Sequence, residues 1–129
     1  MGNFEPSIKC VSEDARGEIF VISLPDDQEL LLLHSKQGVL RGGHSHDVNE
    51  IVVILSGCMA YSKRDDMQRQ EWGETLKAGD DSFNPAGQIH MGEALTDLWL
   101  IEMKLNTAKG QWSNQDYLPW RERVLESSR

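Results

Sequence analysis

At 129 residues and 14.6 kDa the chain is the size of one domain, and its 39% apolar and 26% charged residues exclude disordered and collagen-like classes. Its 13 basic and 21 acidic residues leave a net charge of -8, and no basic cluster stands out, so a nucleic-acid partner is not expected. Its longest apolar runs, Leu30-Leu33, Ile51-Leu55 and Leu98-Ile101, are far short of the roughly 20 residues that a membrane-spanning helix needs.

From the N-terminus, Met-Gly-Asn-Phe-Glu-Pro shows no basic region followed by an apolar core, so no signal peptide is expected and a cytoplasmic protein is the plain reading. Short strands are then predicted at Glu18-Leu24, Glu29-Ser35, Val39-His44, Glu50-Ser56, Met59-Lys63, Gln70-Leu76, Asp81-Phe83, Gln88-His90 and Leu98-Leu105. Turn residues separate them, among them Pro25-Asp26-Asp27, Asp47-Val48-Asn49, Arg64-Asp65-Asp66 and Gly79-Asp80. Many short strands at this spacing predict an all-β sandwich or barrel. The tail, from about Asn114 to Glu126, carries Leu118, Arg121, Val124 and Leu125 near helical spacing and predicts a helix, with Pro119 suited to its first turn. Cys10 and Cys58 are far apart and match no metal or redox spacing, so two free thiols are expected.

The three apolar runs named above do not alternate, which implies sheet buried on both faces. The outer face then needs a cover, and a tail helix, an extra strand or a second subunit would each supply one. A homodimer is expected.

Chemistry concentrates in two stretches. The first, Gly38 to Gly57, holds His44, His46 and Glu50. Histidines two apart project to the same side of a strand, and an adjacent antiparallel strand opening at Glu50 would bring its carboxylate beside them. The second, Gly79 to Ala94, holds Pro85, Gly87 and His90, a turn followed by a strand. Three imidazoles and a carboxylate suit a divalent Fe, Mn, Ni or Zn ion, and the lack of thiolates argues against a closed structural zinc site.

These stretches resemble the cupin superfamily. The first fits G-x5-H-x-H-x3-E-x6-G at every defined position, and the second fits G-x5-P-x-G-x2-H-x3-N except that Ala94 replaces the final Asn. The resemblance covers a little under half of the chain. It implies a jelly-roll (double-stranded β-helix) barrel, one cupin domain over residues 1–129, with its core at about 18–105 and a short C-terminal helix or tail at 106–129. It also implies that His44, His46, Glu50 and His90 hold one divalent metal ion, leaving two open positions on an octahedral ion for a small-molecule substrate. On that reading the protein is a metal-dependent enzyme of oxygenase, isomerase or lyase type, with Glu50, His44 and His46 as catalytic groups.

Around the cavity, Met59 and Tyr61 are expected to line the barrel, and Gln88 to hydrogen-bond a ligand or substrate. Arg41 is the best candidate to grip a substrate carboxylate. Strand parity turns it away from His44, however, unless Gly42-Gly43 bulges the strand. Trp99, Ile101 and Met103 share a face and read as core, and His34 reads as a core or rim histidine. Two alternatives stand beside the metal enzyme. One is a metal-independent sugar-nucleotide isomerase or epimerase with His44 or His46 as base, loosely echoed by Ala15-Arg16-Gly17-Glu18-Ile19 and by Arg41-Gly42-x-His-x-His. The other is a non-catalytic small-molecule-binding cupin.

Overall fold

In the computed structural model, residues 7–65, 70–107, 113–117 and 120–122 are described. Eleven strands are present: β1 (Ile8–Asp14), β2 (Gly17–Leu24), β3 (Gln28–Ser35), β4 (Leu40–His46), β5 (Glu50–Ser56), β6 (Cys58–Asp65), β7 (Gln70–Lys77), β8 (Asp81–Asn84), β9 (Ile89–Ala94), β10 (Leu98–Lys104) and β11 (Asn114–Asp116). They form a six-stranded sheet, β1-β2-β3-β10-β5-β8, and a five-stranded sheet, β11-β4-β9-β6-β7, with every pairing antiparallel. The fold is all-β, two sheets enclosing one interior, as expected for a jelly roll.

Alternation decides what faces inward. On β3, Leu31 and Leu33 point into the interior while Leu30 and Leu32 point out, so the unbroken apolar run serves both faces. Leu33, Val52, Ile54, Met59, Tyr61, Leu76, Ala94, Leu98 and Leu100 form the core between the sheets. On β10 the expected parity is reversed: Leu98 and Leu100 are the core residues, and Trp99, Ile101 and Met103 lie on the outer face. The bulky outer residues resemble core because they pack on neighbours within the sheet surface, Trp99 stacking on His34 with ring centroids 4.5 Å apart.

The strand expectations hold, with ends shifted by a few residues, but two strands were missed. β1 is mostly exposed and alternates too weakly to be read, and β11 is only three residues long. β11 also corrects the tail: Asn114–Asp116 pairs with β4 instead of opening a helix, because its backbone completes the edge of the five-stranded sheet. Residues 120–122 are helical, while Leu118, Pro119 and residues 123–129 lie outside the described residues, as does Trp112. Trp120 is buried against Ile89 and Met91, so the tail covers the back of β9. Trp72 stays exposed on edge strand β7. At another edge Lys63 ties the two sheets together, donating to Ser82 Oγ and, at 3.2 Å, to the Phe83 carbonyl.

Candidate metal centre and cavity

His44 and His46 project into the interior from the end of β4, and β9 brings His90 directly opposite His44. The three rings meet with centroids 4.7 to 5.0 Å apart, and one ligand nitrogen from each lies within 4.8 Å of the others. Glu50 arrives by a different route from the one expected. β4 and β5 belong to different sheets, so its carboxylate crosses the interior instead of coming from a paired strand. The connection at Asp47-Val48-Asn49 carries the chain from one sheet to the other, a step that a hairpin reading cannot anticipate. Glu50 is fully buried, with Oε2 3.1 Å from His46 Nε2 and Oε1 3.3 Å from His90 Nε2.

Hydrogen bonds orient two of the rings. His46 Nδ1 lies 2.5 Å from Asn114 Oδ1, and His90 Nδ1 lies 3.3 Å from the Gln88 carbonyl oxygen. A carbonyl oxygen only accepts, so both rings carry a proton on Nδ1 and turn Nε2 toward the centre. Burial, followed by the nearby charge of His46, pushes the His44 imidazole down to about 4, and burial likewise pushes His90 down to about 4. Both are therefore neutral at pH 7, the state in which imidazole binds a metal.

Burial alone would raise the Glu50 carboxyl. The contact with His46 and the charge of Lys104 outweigh it and hold the group below the ordinary carboxylate range. Lys104 Nζ stands 2.6 Å from Glu50 Oε2, and Asn84 Nδ2 donates to Glu50 Oε1 at 3.0 Å and to the Tyr61 hydroxyl at 2.7 Å. Glu102, 3.6 Å from Lys104, also lines the cavity. Burial, reinforced by the charge of Glu50, pushes its carboxyl up to about 7.

A cavity of about 350 Å³ opens onto these groups. Met59 and Tyr61 are in its wall, as is Arg41. The register slips between Gly42 and His44, where Gly42 and Gly43 adopt φ of 101° and 85°, so the strand does bulge and Arg41 shares the side of His44. Gln88 is not among the lining residues, and it is its backbone carbonyl that meets His90. His34 is a rim residue of the outer face, its two nitrogens 2.5 Å from Glu18 and 2.8 Å from Asp97.

Sequence reasoning overlooked Lys104, Glu102, Asn84, Asn114, Arg16 and Arg121. Glu102 and Lys104 continue the inward parity of Leu98 and Leu100, a pattern open to reading once that face is recognised. Asn84 sits immediately before Pro85, inside the second motif. Asn114 and Arg121 carry no local signal, because tertiary pairing alone brings them to the site.

Comparison with known structures places the fold in a class. CapF, a capsular polysaccharide assembling protein from Staphylococcus aureus, superposes with a TM-score of 0.72 at 21% identity, over 88% of this chain and 32% of CapF. An oxalate decarboxylase variant from Bacillus subtilis gives 0.68 at 16% identity, over 75% of this chain and 27% of that one. KdgF from Halomonas sp. gives 0.62 at 15% identity, over 74% and 84%. The fold is that of the cupins. The chain spans about a third of the length of CapF. No protein-family model matches the sequence, and no curated protein does. Among the described residues no helix is long and apolar enough to cross a membrane.

Proposed function

We propose that this chain is a metal-binding cupin and a metal-dependent enzyme acting on a small organic molecule held in the barrel. His44, His46, His90 and Glu50 would hold one divalent ion, Fe, Mn, Ni or Zn. The observation that carries this reading is the convergence of three imidazole rings, two of them with Nε2 turned to one point beside a buried carboxylate. The donor set fits such an ion, since neutral nitrogen and carboxylate oxygen suit borderline divalent metals. When bound, the ion would act as a Lewis acid on a substrate oxygen, the chemistry shared by oxygenase, isomerase and lyase reactions at such centres. The chain's own part is to keep His44 and His90 neutral, to hold Glu50 ionised beside Lys104, and to enclose the substrate between Met59, Tyr61 and Arg41. Glu50, His44 and His46 are the groups placed to exchange protons with it.

A second reading, a metal-independent sugar isomerase or epimerase with His44 or His46 as base, draws support from a neutral His44 in the cavity wall and from the likeness to a capsular polysaccharide assembling protein. Elemental analysis of untagged protein separates the two. About one equivalent of Fe, Mn or Ni in the wild type, absent from His46→Ala and Glu50→Ala, is expected. Metal-free wild type after reconstitution would overturn the metal reading in favour of a histidine base.

The proposal extends to a homodimer. The outer face of the six-stranded sheet exposes Leu55 and Phe83 beside Ile51, Val53 and Ile101, and a second copy of this chain would cover it. Light scattering should report twice the 14.6 kDa chain mass.

A further inference from the structure

The cavity has two chemically different ends. Along β9, Gly92 pairs with Arg41 and His90 pairs with His44, so the arginine and histidine stations are two strand residues apart, about 7 Å. Leu33, Leu100 and Val52 from the facing sheet fill the wall between them. The histidine end holds the candidate metal centre. The other end is cationic, in a protein whose net charge is -8.

Arg41 is held there by neutral groups. Its Nε donates to Ser35 Oγ at 2.8 Å, and its Nη2 donates to the His34 carbonyl at 3.3 Å. No carboxylate pairs with it among the described residues. Arg16 comes to the same place from the β1–β2 turn. Gly17 pairs with Ser35, and Lys36 donates its backbone N–H to the Arg16 carbonyl at 2.9 Å. That turn needs glycine, because Gly17 has φ of 134° and a Cβ there would stand 2.1 Å from the His34 carbonyl oxygen. Asp14 orients the Arg16 guanidinium through contacts of 2.8 to 3.3 Å, and the arginine lines the cavity. Burial and then the neighbouring Arg16 charge lower the Arg41 pKa, which is what two cations in proximity should show. Arg121, its methylenes packed over Gly43 beside His44, also lines the cavity, and its buried Nε has no hydrogen-bond partner among the described residues.

Asp14 already offsets the Arg16 charge, so the cation left without a carboxylate at this end is Arg41, and a bound anion would compensate it. We propose that Arg41 and Arg16 form an anion subsite at the end of the cavity away from the histidines, and that the ligand is a short molecule with a carboxylate or phosphate at one end and a metal-directed oxygen at the other. The first half of this statement stands on the arginines alone; the second rests on the metal reading given above. An anion seated between two guanidiniums receives forked, charge-assisted hydrogen bonds, while the apolar wall selects for a hydrocarbon or sugar-ring body.

The test is calorimetric titration of metal-free protein with inorganic phosphate, methyl phosphate, acetate and succinate at low ionic strength. Saturable binding of at least one anion is expected, weakened about tenfold or more in Arg41→Gln and also weakened in Arg16→Gln, but kept in His46→Ala. Preference for the phosphates would identify a phosphoester ligand, and preference for the carboxylates an organic acid; each supports the subsite. Arg16 is half-exposed, so its variant keeps the test informative should loss of the Arg41 hydrogen bonds unfold the chain. Equal affinity in wild type and both arginine variants, or no saturable binding, would overturn the proposal. Because the titration uses metal-free protein, failure of the metal reading leaves this result unchanged.

Discussion

Replacing Lys104 with Met removes a positive charge from the most buried carboxylate in the site while preserving side-chain length. Glu50 has no exposed surface, and the Lys104 ammonium, 8% exposed, is 2.6 Å away. Taking one partner from a buried ion pair typically costs about 3–5 kcal/mol, because the remaining charge keeps its desolvation penalty and loses its compensation. His44 and His90 do not fill the gap at pH 7, since both titrate near 4. Asn84 still donates one hydrogen bond, which places the expected loss toward the lower end of the range. For a domain of this size, about 3 kcal/mol corresponds to a fall in Tm of roughly 10 °C. Scanning calorimetry of metal-free wild type and Lys104→Met at pH 7 measures it directly. Two companion results should follow. A divalent ion, by restoring positive charge beside Glu50, should raise the Tm of the variant more than that of the wild type. Glu50→Gln/Lys104→Met should recover most of the loss, because removal of both charges leaves none uncompensated. A metal-free Lys104→Met protein melting within about 2 °C of wild type would refute the claim that Lys104 carries the Glu50 charge.

Gly42→Ala should destabilise the protein by about 1–3 kcal/mol in urea titration and weaken anion binding at Arg41, because Gly42 has φ of 101° and an added Cβ would stand 2.7 Å from the His90 carbonyl oxygen. Wild-type stability with intact binding would mean that the bulge does not set the direction of Arg41. Metal-free protein should lose stability as pH falls from 6.5 toward 4: the unfolded chain protonates His44 and His90 near 6.5, whereas the folded chain resists until about 4. Urea midpoints at pH 7, 6 and 5 should decline in step, and a flat profile would contradict neutral buried imidazoles. His34 acts in the opposite sense. Its hydrogen bond with Glu18 raises its pKa against the effect of burial, so its contribution is full below 6.5 and is lost as pH rises through the higher folded value. His34→Gln should therefore flatten the alkaline side of the stability curve, and an unchanged alkaline limb would refute that assignment.

The fold and the histidines were legible in the sequence because each rests on a local pattern. Short apolar runs between turn residues marked nine strands, and the spacing of His44 and His46 placed both rings on one side of β4. What stayed hidden depends on contacts between distant segments. Glu50 was assigned to a neighbouring strand because sequence shows a turn but not whether the chain crosses to the other sheet there. The parity of β10 was misread because Trp99 and Ile101 are as hydrophobic as the residues that fill the interior, and with it went Glu102 and Lys104. Arg41 could be placed only conditionally, since paired glycines permit a bulge without requiring one. Asn114 and Arg121 reach the site through β11, a strand too short to leave a periodic signal.

That last connection has a bearing on how the protein is made. His44, His46, Glu50 and His90 leave the ribosome well before Asn114, whose side chain orients His46 from 68 positions further along, and before Trp120 and Arg121, which close over β9 and Gly43. At synthesis rates of about 5–20 residues per second, the nascent chain carries an incompletely ordered set of ligands for a second or more. Orientation of the candidate ligand nitrogens is therefore coupled to synthesis of the segment from residue 114 onward, and a chain stalled or clipped before that residue would carry all four candidate ligands without the contact that aims His46.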